Sequence, residues 1–269
     1  MNTKTTLQSF FKDISAGKKI TFITAYDSTL ASLATDAGVN YLLVGDSLGM
    51  VIQGAENTLG VSLDEIIYHT KAVRRGAPNA FIVADMPFMS YQSSYAEGIQ
   101  ACGRAIKEGG ADAVKLEGGA ELAELVTGLV KAGIPVMGHV GMNPQQVLVM
   151  GGFKAQGKTE DSIEKIIQDT KILADAGCFS FVIEAVKPVV VERILQESFV
   201  PLIGIGAGSS TAGQVLVIHD VTGMHSQDNS FRPKFVRQFG NAGAEITKAI
   251  SLYKEAVESS SFPASSETY

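Results

Sequence analysis

Short, nearly continuous apolar runs alternate along this chain with longer stretches of helical period. That is the pattern of a parallel sheet whose strands are buried on both faces and joined by crossover helices. Eight strands are expected, at residues 20–25, 41–45, 81–84, 113–116, 135–139, 180–183, 202–205 and 215–218, with helical stretches between most of them. Ser62-Leu-Asp-Glu65 reads as a capping box opening a helix that runs to Arg75, and Gly109-Gly110, Gly133 and Gly177 each close a further helix. Eight strand-and-helix units in about 250 residues is the size of a (β/α)8 TIM barrel. A doubly wound open sheet is the competitor. It fits less well, because ionisable residues follow strands spread along the whole chain and closure alone would bring all those ends together.

One domain over residues 1–258 is expected, with an N-terminal helical extension carrying a small apolar patch (Leu7, Phe10, Phe11, Ile14), and a disordered Ser-rich tail over 259–269. A chain of 269 residues with 45% hydrophobic composition can bury roughly 75% of its unfolded surface, enough for one large core. The net charge of -6, with Lys and Arg spread thinly, argues against a nucleic-acid partner. The N-terminus lacks the apolar core of a signal peptide, and no run approaches the roughly 20 residues that span a bilayer. Cys102 and Cys178 have no metal-like spacing, so a cytoplasmic protein without a membrane partner is expected. Two glycine-rich connections, 45–62 and 142–159, are candidate lids or binding edges.

Four of the apolar runs end in an acid: Asp46, Asp85, Glu117 and Glu184. A carboxylate at the end of a buried strand is costly to desolvate unless it meets a cation, a proton or a hydrogen-bond donor. Asp46 and Asp85 follow neighbouring strands, so their carboxylates can converge on one divalent ion, with Glu117 supporting directly or through water. Oxygen-only ligation favours Mg²⁺. Each acid could equally be a cap or turn residue, a reading that weakens when they are taken together. Lys115 shares a strand face with Glu117 and could hold a substrate carboxylate; the nearby acids argue against a Schiff base because they stabilise the ammonium. His139 could bond a substrate oxygen, ligate a metal or sit as a satisfied core histidine. Glu184, in an apolar frame, is a workable general base or one half of a structural salt bridge. Gly204-Ile-Gly-Ala-Gly208 has the look of a phosphate loop, yet His219-Asp220 after strand eight leaves the usual paired cradle incomplete.

From Ile20 to Phe239 the chain resembles the ketopantoate hydroxymethyltransferase family. The resemblance rests on Thr24-Ala-Tyr-Asp27, Val44-Gly-Asp-Ser-Leu-Gly-Met50, Tyr68-His-Thr70, Val73-Arg-Arg-Gly-Ala-Pro78, Ala84-Asp-Met-Pro-Phe88, Val114-Lys-Leu-Glu-Gly118, Gly138-His-Val-Gly141, Gly151-Gly-Phe-Lys154 and Ile203-Gly-Ile-Gly-Ala-Gly208. It implies a homodecameric TIM-barrel enzyme of pantothenate biosynthesis that uses Mg²⁺ and 5,10-methylenetetrahydrofolate to hydroxymethylate 3-methyl-2-oxobutanoate through a metal-stabilised enolate. Carried over by motif, Asp46 and Asp85 hold the metal with Glu117 nearby. Asp46, Ser47, Asp85, Lys115 and His139 line the oxo-acid site, and Glu184 is the base. The stretch after His219-Asp220, residues 221–235, departs from the family's phenylalanine-glycine version, which leaves its part in folate binding open. Two rivals are a Mg²⁺ barrel of the phosphoenolpyruvate mutase and isocitrate lyase type, which would need a nucleophilic cysteine or extra basic residues, and a catalytically idle assembly protein that binds metal.

Overall fold

Eight apolar runs form strands that pair in sequence order, all parallel: β1 Ile20–Thr24, β2 Tyr41–Val44, β3 Phe81–Asp85, β4 Ala113–Glu117, β5 Val136–Gly141, β6 Ser180–Glu184, β7 Leu202–Ile205 and β8 Gly213–Leu216. β1 closes onto β8, from Ile20 opposite Gly213 to Ile23 opposite Leu216, so the sheet is a closed barrel and the open-sheet alternative is excluded. The computed structural model describes residues 3–197, 200–225 and 233–269 and divides into two compact units, Met1–Leu216 and Val217–Tyr269.

Alternation along each strand separates two cores. Leu42, Val44 and Ile82 face outward onto Ala31, Ala34, Val73 and Ala77 of α2 (Ser28–Asp36), α4 (Leu63–Gly76) and its C-terminal turn. Phe22, Tyr41, Leu43, Phe81, Val83, Ala113, Met137, Val182 and Ile203 fill the barrel's interior. The N-terminal end of that interior is closed by α1 (Leu7–Ser15). Its Phe10 is wholly buried, with ring centroids 5.8 Å from Tyr41 and 5.6 Å from Phe179, while Leu7 and Ile14 pack beside it. Three of the four apolar residues of the N-terminal patch therefore serve as a plug; Phe11 stays exposed. Toward the C-terminal ends the interior columns turn polar: Phe81 and Val83 lead to Asp85, Ala113 to Lys115 and Glu117, Met137 to His139, and Val182 to Glu184.

The capping box at Ser62 and Glu65 forms as expected, and Asp27 caps α2 by accepting from Leu30 N at 2.8 Å. Within the two long connections lie short helices, α3 (Leu48–Val51) and α7 (Val147–Met150), the latter ended by Gly151 in the left-handed conformation. The remaining outer helices are α5 (Tyr95–Lys107), α6 (Ala123–Lys131), α8 (Glu160–Asp175) and α9 (Pro188–Glu197).

One detail differs from the sequence reading. β8 lies two residues earlier than expected, because Val217 and Ile218 extend the apolar run but enter a helix, α10 (Ile218–Thr222). No helix joins β7 to β8: the seven residues 206–212, rich in Gly and Ser, are too few and too flexible to nucleate one. In the second unit α10 is followed by α11 (Ala242–Glu258) and a short 3-10 turn at Ser265–Glu267.

Candidate active site

The polar ends of β3 to β6 and the loop after β2 converge on one buried cluster. Lys115 is its hub: Nζ lies 2.8 Å from Asp85 Oδ1, 3.0 Å from Glu117 Oε1 and 2.9 Å from His139 Nδ1. Register places these residues side by side, since Asp85 is opposite Lys115 across β3 and β4, and Glu117 opposite His139 across β4 and β5. His139 Nδ1 is 3.1 Å from Glu117 Oε1, and Nε2 is 3.2 Å from Glu184 Oε2, close but poorly aligned for a hydrogen bond. Gly141, opposite Glu184, has φ +95°, and a Cβ there would meet Glu184 O at 2.5 Å, so glycine is what lets β5 approach the backbone of β6.

Asp46 enters from the β2 loop, and its backbone N–H donates to Asp85 Oδ2 at 3.2 Å. One oxygen from each of Asp46, Asp85 and Glu117 lies within 4.8 Å of the others, and all three residues are buried. Ser47, the next residue, is half-buried with its Oγ 2.9 Å from the Tyr26 hydroxyl. The sequence-derived acids, Lys115 and His139 thus share one site, with Ser47 adjoining Asp46.

Its electrostatics are unbalanced. Burial, and then the charges of Asp85 and Glu117, push the Asp46 carboxyl well above its ordinary range. Burial also raises Asp85, even against the Lys115 ammonium. Glu117 is pulled down to about 2, because Lys115 and His139 outweigh its desolvation. Burial and Lys115 lower His139, but Glu117 and Glu184 prevail and lift it to about 9. Lys115 is held charged by the acids around it despite complete burial. Lys115 thus offsets Glu117 well, while Asp46 and Asp85 remain short of positive charge. Asp85 Oδ1 faces the ammonium yet receives no aligned hydrogen bond. An all-oxygen donor set lacking compensation suits a hard divalent cation.

Sequence reasoning missed the residues that tie the acids together. Gln145 donates from Nε2 to Asp46 Oδ2 (3.1 Å) and Met86 O (2.8 Å), and from its backbone N–H to Glu117 Oε2 (3.1 Å). Tyr91 accepts from Glu117 N at 3.0 Å, and its hydroxyl lies 2.9 Å from both Glu117 O and Gln145 Oε1. Neither carried a signal beyond its place in a loop after an expected strand. The same two residues border a cleft of about 350 Å³ between Phe88, Tyr95, Leu122 and Leu125.

Other sequence features stay outside this cluster. Cys102 and Cys178 are buried, and burial pushes both thiols up to about 12, far from the thiolate a nucleophilic cysteine needs. Gly204 and Ile205 end β7, and the rest of the glycine stretch turns tightly: Gly206 and Gly208 have positive φ, and Gly208 O accepts from Gln214 Nε2 at 2.9 Å. Of the stretch after strand eight, residues 226–232 lie outside the described residues. Among the described residues no helix is long and apolar enough to cross a membrane.

A family model described as ketopantoate hydroxymethyltransferase matches residues 4–265. A curated relative from Clostridium botulinum (strain Alaska E43 / Type E3), named 3-methyl-2-oxobutanoate hydroxymethyltransferase, is 50% identical over 260 residues, covering 97% of this chain and 94% of its own. One of the same name from Syntrophus aciditrophicus (strain SB) is 49% identical over 247 residues, covering 92% and 90%. Among solved structures, a phosphoenolpyruvate phosphomutase from Streptomyces platensis subsp. rosaceus superposes with TM-score 0.62 at 13% identity, covering 95% of this chain and 88% of that one. A phosphonopyruvate hydrolase in complex with oxalate and Mg++ gives TM-score 0.62 at 12% identity, covering 98% and 93%. At such identities the structural likeness is one of fold.

Proposed function

We infer the reaction from kinship and geometry together: the chain belongs to the ketopantoate hydroxymethyltransferase family and is an enzyme, a hydroxymethyltransferase. The proposed reaction takes 5,10-methylenetetrahydrofolate, 3-methyl-2-oxobutanoate and water to 2-dehydropantoate and tetrahydrofolate, a step of pantothenate biosynthesis. It forms one carbon–carbon bond at C3 of the oxo acid, and the proton that leaves C3 needs a base.

The observation that carries this reading is the convergence of Asp46, Asp85 and Glu117 in a buried site beside Lys115, His139 and Glu184. These three acids would hold a divalent cation, proposed to be Mg²⁺. When bound, that cation supplies charge stabilisation to the substrate's ketone oxygen, which lowers the cost of taking the C3 proton. Lys115, Ser47 and His139 would bind and orient the oxo acid, Lys115 with a charge that its acid neighbours keep permanent. Glu184 would take the proton. At 9% exposure it is the least buried of the four acids, so it can pass that proton to water, and His139 Nε2 lies 3.2 Å from its carboxylate. A homodecamer working in the cytoplasm completes the proposal, supported by family membership.

Hydrogen–deuterium exchange at C3 of 3-methyl-2-oxobutanoate, followed by NMR in D₂O, tests the role of Glu184. Exchange should fall by about 10²–10⁴-fold in Glu184→Gln, with oxo-acid binding retained. Undiminished exchange would remove Glu184 as the base.

A further inference from the structure

We propose that Gln145 is a positioning residue for the cation site: by bonding one oxygen each of Asp46 and Glu117 it fixes the orientation in which the two carboxylates are presented to a divalent ion. The proposal rests on reading Asp46, Asp85 and Glu117 as that site.

Gln145 is 4% exposed, and every polar group of its side chain is engaged. Its Nε2 spends one proton on Met86 O and the other on Asp46 Oδ2, while Oε1 accepts from Gln92 Nε2 at 3.1 Å and faces the Tyr91 hydroxyl. The amide orientation is fixed by chemistry, because a flipped carboxamide would set its oxygen against a carbonyl and a carboxylate. The backbone N–H of the same residue donates to Glu117 Oε2. One residue therefore bonds one oxygen on each of two acids, Glu117 at the end of β4 and Asp46 in the loop after β2. The other oxygen of Glu117, Oε1, faces Lys115 and His139.

The local fold supports this placement. β5 ends at Gly141, and Pro144 opens a 3-10 turn, Pro144–Gln146, from which the backbone N–H and side chain of Gln145 point back to the acids at the barrel end. Tyr91 braces the arrangement from the other side by bonding both Gln145 and the backbone of Glu117. Hydrogen-bond partners that orient the ligands of a metal typically govern affinity by roughly 10–100-fold. Without its Gln145 donor, Asp46 would lose the bond that selects its rotamer.

Mn²⁺ binding to the whole protein, read by calorimetry and by the loss of the free-ion EPR signal without substrate, tests the proposal. Gln145→Met keeps the side chain's length and the backbone donor to Glu117 but removes the donor to Asp46. Its dissociation constant for Mn²⁺ should rise by roughly 10–100-fold while its circular dichroism stays that of the unsubstituted protein. Tyr91→Phe should weaken binding in the same direction and by less. A Gln145→Met protein that is folded and binds Mn²⁺ within about twofold of the unsubstituted chain would overturn the positioning role, whatever happens to its activity. If Gln145→Met does not fold, Tyr91→Phe decides, and unchanged affinity there overturns the proposal. Failure of the unsubstituted protein to bind Mn²⁺ at all would instead bring down the cation reading itself, and this proposal with it.

Discussion

Lys115 sets the charge balance at the barrel's mouth. It satisfies Glu117 and leaves Asp46 and Asp85 above their ordinary range, an imbalance of individual side chains that the proposed cation would relieve. Asp85→Ala should weaken oxo-acid binding only when Mg²⁺ is present; titration calorimetry showing an equal loss with chelator would remove Asp85 as a ligand. A pH dependence follows as well. In the metal-free protein Asp46 and Asp85 keep their protons above the unfolded value of about 3.9, so the folded chain binds more protons than the unfolded one and stability falls as pH rises from there. His139, raised to about 9, acts in the same direction, its contribution being lost as pH climbs through that value. A divalent cation favours the ionised acids, so the rise in melting temperature on adding Mg²⁺ should grow as pH rises above the ordinary carboxylate range. A pH-independent increment would contradict this. The acids were legible in the sequence because each interrupts a continuous apolar run. Gln145 and Tyr91 were not: they are polar loop residues, and Gln145's partner Asp46 lies 99 positions away.

At the scale of elements, the strands could be read because burial on both faces demands unbroken apolar runs, and the helices because capping residues mark their ends. β8 is where that logic slips, since its run begins at a glycine and continues into α10. α1 shows how a weak pattern can carry a large role, as Phe10 completes the barrel's interior at the end away from the acids. Phe10→Ala should lower the free energy of unfolding of the barrel by about 3–5 kcal/mol in urea titration, with Mn²⁺ affinity of the folded protein unchanged. A loss below about 1 kcal/mol would show that the plug is not part of the core.

Closure of the barrel is what turns four distant sequence positions into one site, for an open sheet of the same strands would leave the ends of β3 and β6 apart. At this scale the proposed homodecamer predicts a large species by sedimentation velocity, and a monomer would contradict it. The central claim, that Asp46, Asp85 and Glu117 hold one divalent cation, is tested most directly by anomalous diffraction from crystals grown with Mn²⁺. The account predicts one strong peak per chain, ligated by oxygens of these three residues. A peak elsewhere, or none among these carboxylates at saturating Mn²⁺, would contradict it.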